Sequence, residues 1–95
     1  MIKINISKDE ITIKGHSGYS EHGSDIVCAS VSSISITTVN ALLSIDEDCI
    51  KYEEKDGYLN IKINKHNEVI DKLINNMINL LKELQNQYKK NIEIR

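Results

Sequence analysis

Two runs of alternating apolar and polar residues meet at the dipeptide Asp56-Gly57, and this arrangement constrains the fold more strongly than any other part of the chain. Asp-Gly is typical of the two-residue type I′ turn of a β-hairpin, because glycine accepts the positive φ angle that the turn requires. The flanking runs, residues 49–55 and 58–64, have the two-residue period of half-buried strands. The sequence therefore predicts an antiparallel hairpin over 49–64.

The remaining segments predict a second hairpin, two helices and a short last strand. Residues 2–14 alternate on both sides of a polar break, as the strands of a hairpin do. Apolar residues at three- and four-residue steps indicate a helix over 25–45, with Asp25 as its N-cap, and a second helix from Asn67 onward. The predicted fold class is α+β: a small antiparallel-rich sheet in the order ββαββα, extended by a last strand if 90–94 pairs, with two helices packed on it.

Each predicted helix has an apolar face that we expect to lie against the sheet. The first helix is rich in Ser, Thr, Val and Ile, which do not favour helix interiors, so tertiary packing must stabilise it. The predicted buried faces are Val27, Val31, Ile34, Thr38, Ala41, Leu42 and Ile45 in the first helix, and Ile70, Leu73, Met77, Leu81 and Leu84 in the second.

Size and charge exclude several classes of protein. The chain has 95 residues, which we expect to form a single domain over 1–95. Its net charge of −2 and its four scattered tyrosines, with no Phe or Trp, argue against direct binding to nucleic acid. No run approaches the roughly 18 apolar residues that a membrane-spanning helix needs, so we expect no membrane partner.

Location and assembly follow from the same composition. The first six residues alternate apolar with polar side chains and lack the apolar run of a secretory signal, so we expect the chain in the cytoplasm. In that reducing compartment Cys28 and Cys49 are expected as thiols rather than as a disulfide. A core built from Ile, Leu and Val in so short a chain is small, and a homodimer would supplement it.

Cys28 is the strongest candidate for a reactive residue. An N-cap at Asp25 would place Cys28 in the first helical turn, where backbone N–H groups and the helix dipole stabilise a thiolate over a thiol. The loop before it, residues 15–24, holds three of the four glycines and begins beside His16. Glycines let main-chain N–H groups approach an oxyanion, and an imidazole suits transfer of the thiol proton. Cys28 and His16 are therefore candidates for the nucleophile and general base of a cysteine enzyme.

Other interpretations of these residues stay open. With three His and two Cys, some pair in a plausible order is expected by chance, and a cysteine is more often a small buried hydrophobic residue. His22 competes with His16 for the role of base, although a histidine within a loop is more often simply exposed. We expect Cys49 to be structural and His66 to be a surface residue. A zinc site is a further alternative, although the usual spacing of paired ligands is missing; its ligands would be His16, His22, Asp25 and Cys28.

A longer pattern surrounds these candidates. His16 lies twelve residues before Cys28, and the cysteine lies within Gly-x-Asp-Ile-Val-Cys-Ala-x-Val-Ser. The matching residues are 15–19 and 23–32. This pattern resembles the signature of the ribosomal-processing cysteine proteases, the Prp family of Firmicutes and related bacteria. Length and element order resemble the family along the entire chain, whereas the identifying residues are confined to 15–32.

The resemblance implies a substrate and a mechanism. The family removes a short N-terminal extension from the large-subunit ribosomal protein numbered twenty-seven, and its members form homodimers. By this resemblance Cys28 is the nucleophile and His16 the general base and acid. Asp25 matches an aspartate of the family, and we assign it the helix cap rather than a place as third catalytic residue.

The resemblance also implies roles around the site. Gly18 and Gly23 would be the hinges of a loop that closes over the substrate, and Ser32 would pack or hydrogen-bond beneath the site. We expect no cofactor and no metal ion. The alternative function is a non-catalytic, ribosome-associated module that binds peptides through the glycine-rich loop.

Overall fold

The chain folds into an α+β arrangement in the order that the sequence predicts. The computed structural model describes residues 1–15 and 24–95. Both hairpins, both helices and the last strand are confirmed. Their bounds are β1 Ile2–Ile6, β2 Glu10–Lys14, α1 Ser24–Ile45, β3 Ile50–Lys55, β4 Tyr58–Ile63, α2 Glu68–Gln87 and β5 Ile92–Ile94.

The described strands form one sheet in the order β3-β4-β2-β1-β5. Neighbouring strands are antiparallel except β1 and β5, which pair in parallel from Ile2 opposite Ile92 to Ile4 opposite Ile94. Alternate strand residues turn to one face of the sheet, and the apolar residues at these positions share one core with both helices. The buried strand residues are Ile2, Ile4, Ile11, Ile13, Ile50, Leu59, Ile61, Ile63 and Ile92.

The turn between β3 and β4 differs from its predicted type. Lys55 pairs with Tyr58, so the loop consists of Asp56 and Gly57 as predicted. A type I′ turn needs a positive φ at both loop residues, but Gly57 has a φ of 69° and no described non-glycine residue has a positive φ. The type I′ prediction is therefore wrong. A side chain disfavours the left-handed region, so the glycine alone adopts it.

Helix α1 begins one residue before its predicted N-cap. Its first residue is Ser24, its second is Asp25, and it ends at Ile45 as predicted. Gly, Ser and Asp, the residue types at 23–25, all favour the N-cap position, so composition does not select among them. Asp25 therefore lies within the first turn, and Cys28 begins the second turn instead of lying in the first.

The buried face of α1 matches the prediction in part. The prediction missed Ser35 and Val39 and wrongly included Ile45, which is 53% exposed. A helix repeats every 3.6 residues, so one face continues from Val31 through Ser35 to Val39; the polar Ser35 obscures this pattern. The buried residues of α1 are Val27, Val31, Ser35, Thr38, Val39 and Leu42, and Ile34 and Ala41 are half-buried.

By length and composition alone, residues Ile26–Ile45 of α1 could span a membrane. The expectation that no run is apolar enough overlooked this segment because Ser and Thr interrupt it. In this fold Val27, Val39 and Leu42 pack into the core with the sheet, and α1 lies against α2. A core helix meets the same length and composition criteria, and this packing is that of a core helix.

Helix α2 follows its prediction closely. Asn67 is the N-cap, and its side-chain oxygen accepts a hydrogen bond from the backbone N–H of Ile70 at 2.9 Å. Glu68 and Asp71 provide negative charge at the positive end of the helix dipole. The buried stripe is Ile70, Ile74, Met77 and Leu81, while the predicted Leu73 and Leu84 are half-buried.

His66 links the start of α2 to the turn between β1 and β2. Its Nδ1 lies 2.7 Å from a carboxylate oxygen of Asp71, and its Nε2 lies 2.7 Å from one of Asp9. Two carboxylates as partners fit the protonated ring, which donates from both nitrogens. The hydrogen bond to Asp71, followed by that to Asp9, raises the pKa of His66 above its ordinary value near 6.5. The predicted surface residue is therefore also a bridge between two elements.

We expect His66→Gln to lower the free energy of unfolding most at about pH 6, and progressively less as the pH rises. Because the pKa of His66 is raised in the folded state, the charged bridge stabilises the fold below the unfolded-state pKa and is lost as the pH rises through the folded-state pKa. Urea unfolding of both proteins at several pH values up to about 8 measures the difference. Asp9→Asn removes one of the two negative charges beside the ring and should give a smaller trend of the same sign. A difference that stays constant with pH would contradict the bridge.

Candidate active site

A cleft of about 540 Å³ separates the N-terminal half of α1 from the tip of the β3–β4 hairpin. Residues 54–59 form the hairpin side of this cleft. Such a volume lies in the range of sites that bind small molecules or short peptide segments. The described residues that line it elsewhere are Cys28, Val31, Ser32, Ser35 and Ile36 on α1, and Ile2, Ile13 and Gly15 at the ends of β1 and β2.

Cys28 lies where α1 meets the cleft. Its side chain is half-buried and packs against the core on one side, and the residue lines the cleft on the other. It is not part of a disulfide. Helical side chains lean toward the helix N-terminus, so a residue at the start of the second turn covers the first turn. The first backbone N–H groups of a helix have no intrahelical acceptor. Along α1, these N–H groups are the hydrogen-bond donors nearest to the sulfur of Cys28.

Ser32 lies one helical turn beyond Cys28 on the same side of α1. Both residues line the cleft, so the structure brings these two predicted site residues together. The side chain of Ser32 is exposed. It therefore forms part of the cleft wall, and the packing or hydrogen bonding beneath the site that the resemblance implies for Ser32 stays a prediction.

Gly15 directly follows β2 at the edge of the cleft. Its N–H donates a hydrogen bond to the carbonyl oxygen of Gly57 at 2.9 Å, which joins β2 to the tip of the β3–β4 hairpin. Its φ is 101°, and a Cβ at this position would overlap the carbonyl oxygen of Met1. Glycine is therefore required here both for the backbone angle and for the close approach.

Four predicted residues lie outside the residues that the structure describes: His16, His22, Gly18 and Gly23. Asp25 is described only through its backbone, in the first turn of α1. No group of three His, Cys, Asp or Glu side chains suited to a metal ion occurs among residues 1–15 and 24–95. The zinc alternative rests on two of the histidines beyond that range.

Cys49 has a different environment from Cys28. It lies at the other end of α1, just before β3, with a side chain that is 0% exposed. Its Sγ donates a hydrogen bond to the carbonyl oxygen of Leu42 at 3.4 Å. Burial raises the pKa of the Cys49 thiol, and the negative charge of Asp46 raises it further. This thiol is held neutral and packed, which agrees with the structural role that the sequence predicted.

Two parts of the cleft were not found from the sequence. Ser35 lies two helical turns beyond Cys28 and lines the same cleft, so counting along one helix face would have found it. The hairpin wall, including Glu54 and Tyr58, has no comparable signal. Its position opposite α1 depends on strand order, which neither periodicity nor spacing reveals.

Comparison with known proteins points to one protease family. The family model described as "Cysteine protease Prp" matches residues 1–93. The ribosomal processing cysteine protease Prp of Staphylococcus aureus (strain Mu50) is 26% identical over 88 residues, which cover 90% of this chain and 83% of that protein.

Solved structures match the same fold. The crystal structure of an essential ribosomal processing protease Prp from S. aureus with a substrate peptide has a TM-score of 0.84 at 22% identity, over 99% of this chain and 95% of that chain. A second structure, with a covalently linked product peptide, has a TM-score of 0.82 at 23% identity over the same shares of the two chains. At such identities these two structures establish the common fold.

Proposed function

The chain belongs to the cysteine protease Prp family, and on this basis we propose that it removes the N-terminal extension of large-subunit ribosomal protein number twenty-seven. The protein is a cysteine protease by family. The observation that carries the proposal is the position of Cys28, whose half-buried side chain borders a cleft large enough for a peptide segment. We take residues 1–95 as one protease domain.

The proposed reaction begins with the sulfur of Cys28. His16 accepts the thiol proton, and the thiolate attacks the carbonyl carbon of the scissile peptide bond. Main-chain N–H groups near Cys28 hold the oxyanion of the tetrahedral intermediate. His16 then protonates the departing amine as the C–N bond breaks, which leaves a thioester on the sulfur. Water, deprotonated by His16, hydrolyses this thioester and restores the thiol.

Two described features support His16 as the partner of Cys28. Gly15, the residue that precedes His16 in the chain, lines the same cleft as Cys28. Its hydrogen bond to Gly57 and its contact with Met1 fix that point of the backbone against the sheet. Because His16 is bonded to Gly15, its imidazole has only a short distance to cover to reach the sulfur of Cys28.

The remaining site residues have supporting roles in the proposal. Asp25 stabilises the start of α1, where acidic residues favour helix formation, and takes no part in proton transfer. Ser32 belongs to the peptide-binding wall beside Cys28. Gly18 and Gly23 are the hinges of a loop that closes over the bound peptide, because glycine accepts the backbone changes that closure requires.

We also propose that the protein acts in the cytoplasm as a homodimer, without nucleic acid. Ribosomal proteins are available to a protease in that compartment, and the net charge of −2 offers no electrostatic attraction to RNA. The helix face away from the sheet supports dimerisation, since Ile26 is 59% exposed and borders a shallow apolar groove with Ile34, Leu80 and Leu84. A second copy that covers this face would bury apolar surface that a small core leaves in water.

The test of the proposed function uses the native protein and a synthetic peptide that spans the junction between the extension and the mature ribosomal protein. We expect cleavage at one bond, and we expect iodoacetamide to stop it after one equivalent has modified Cys28. Cys49 should stay unmodified until the protein is unfolded, because its side chain is 0% exposed and burial raises its pKa. Mass spectrometry of the intact and digested protein locates the label.

The outcomes separate the protease from a peptide-binding module. A module would bind the junction peptide and release it intact, with or without the label. Full cleavage by protein that carries one label on Cys28 would also contradict the proposed nucleophile.

A further inference from the structure

We propose that Glu54 selects a positively charged side chain in the peptide substrate, from the wall of the cleft opposite Cys28. The inference rests on the proposed function, because it concerns the substrate of the same cleft.

The second half of β3 turns side chains toward an uncovered part of the sheet. Tyr52 and Glu54 alternate with their neighbours, so both lie on the face that carries Ile50. Their partners on β4, Ile61 and Leu59, are buried in the core. Tyr52 nevertheless is 44% exposed, and Glu54 is exposed as well. The core-side face of the sheet therefore continues past α1 as an open wall, and Glu54 borders the cleft there.

The carboxylate of Glu54 is not neutralised by the cation beside it. Lys55 also lines the cleft, but it alternates to the opposite face of the strand, where its ammonium group lies 2.9 Å from a carboxylate oxygen of Glu53. Lys51 lies on that same opposite face, paired in register with Lys62. Within residues 1–15 and 24–95 the carboxylate of Glu54 has no ion-pair or hydrogen-bond partner. A cationic group from a bound peptide would therefore meet an available carboxylate.

The α1 side of the cleft provides independent evidence for a polar ligand. Ser35 lines the cleft and is 0% exposed, and its Oγ has no hydrogen-bond partner among the described residues. Buried hydroxyl groups are almost always hydrogen-bonded in folded proteins. An unpaired hydroxyl in the lining of a cleft is expected where a bound ligand, or a water molecule held by that ligand, accepts or donates the missing hydrogen bond. Both walls thus present polar groups that peptide binding would satisfy.

Tyr52 and Glu54 together suit a lysine or arginine side chain. Two positions apart on one strand face, they offer an aromatic ring beside a carboxylate. The aliphatic stem of Lys or Arg packs on apolar surface while its charged end stays near water and an anion. The ring also attracts a cation that approaches its face. The predicted determinant is thus one basic residue in the segment that crosses the β3 wall.

The test compares two junction peptides, the natural one and one with its basic residues replaced by glutamine. Glu54→Gln should raise KM and lower kcat/KM for the basic peptide about three- to tenfold, with little change in kcat and in cleavage of the neutral peptide. Glu54→Lys should reverse the preference between the two peptides. Glu47→Gln is the matched control, because that carboxylate is exposed and lies outside the residues that line the cleft, so both rates should stay unchanged.

The outcomes distinguish this inference from the proposed function. If the native protein cleaves the peptides but Glu54→Gln affects both equally, or neither, the selection by Glu54 is wrong and the protease stands. If the native protein cleaves neither peptide, the proposed substrate is wrong. Binding of both peptides to Cys28→Ala protein, with and without Glu54→Gln, then tests charge selection directly, and equal affinities would overturn it.

Discussion

Cys28→Ala should abolish cleavage of the junction peptide while the protein keeps its fold. The reaction needs a nucleophile, and no other thiol borders the cleft among the described residues, since Cys49 lies buried at the far end of α1. Loss of a covalent nucleophile typically costs a thousandfold or more in kcat, on the order of 4 kcal/mol in the barrier. Product formation followed by chromatography and mass spectrometry measures the loss.

The matched control for this variant is Cys49→Ser. Its side chain can still donate to the carbonyl oxygen of Leu42, as the thiol does now, so we expect activity to be retained with some loss of stability. Cys28 is half-buried and removal of its sulfur leaves only a small gap, so the unfolding midpoint of Cys28→Ala should change little. Cleavage at the native rate by Cys28→Ala would remove the proposed mechanism.

His16→Ala should lower kcat about a hundred- to ten-thousandfold, the usual contribution of a general acid and base. The proposal gives His16 three proton transfers: from the thiol, to the leaving amine and from the hydrolytic water. Without His16, bulk water must accept or donate the proton in each of these transfers. Single-turnover cleavage under excess protein measures the chemical step apart from peptide binding.

His22→Ala is the control, because it removes the other histidine of the same glycine-rich segment. We expect its rate to stay within about twofold of the native protein. Added imidazole should restore part of the activity of His16→Ala, since the small molecule can take the vacated position of the ring. A steep loss in His22→Ala with a mild one in His16→Ala would assign the base to His22.

The local parts of the fold were predictable because their signals are local. Alternation over 2–14 and 49–64 identified both hairpins, and the apolar stripe that follows Asn67 identified α2. The turn type at Asp56-Gly57 and the first residue of α1 were predicted wrongly, because residue type does not determine the backbone angles at these positions. Asp-Gly is compatible with more than one turn, and three consecutive residues at the start of α1, 23–25, are of types that favour the N-cap position.

In the candidate site, too, the local features were predictable and the features that depend on tertiary structure were not. Cys28 and Ser32 share a wall of the cleft because they are one helical turn apart, and that spacing is visible in the sequence. The position of Glu54 on the opposite wall is not visible in the sequence, since it depends on the pairing of β3 with β4 and of β4 with β2. The bridge from His66 to Asp9, 57 residues apart, was equally invisible, because tertiary packing alone brings the two together.

The parallel pairing of β1 with β5 decides where an affinity tag can be attached. Ile2 lines the cleft, and the carbonyl of Met1 lies against Gly15. A fusion partner joined ahead of Met1 would therefore start beside the cleft. Arg95 lies at the other end of β1, where its carbonyl oxygen accepts a hydrogen bond from Ile6 at 2.9 Å. Purification handles and immobilisation linkers belong after Arg95, which does not line the cleft.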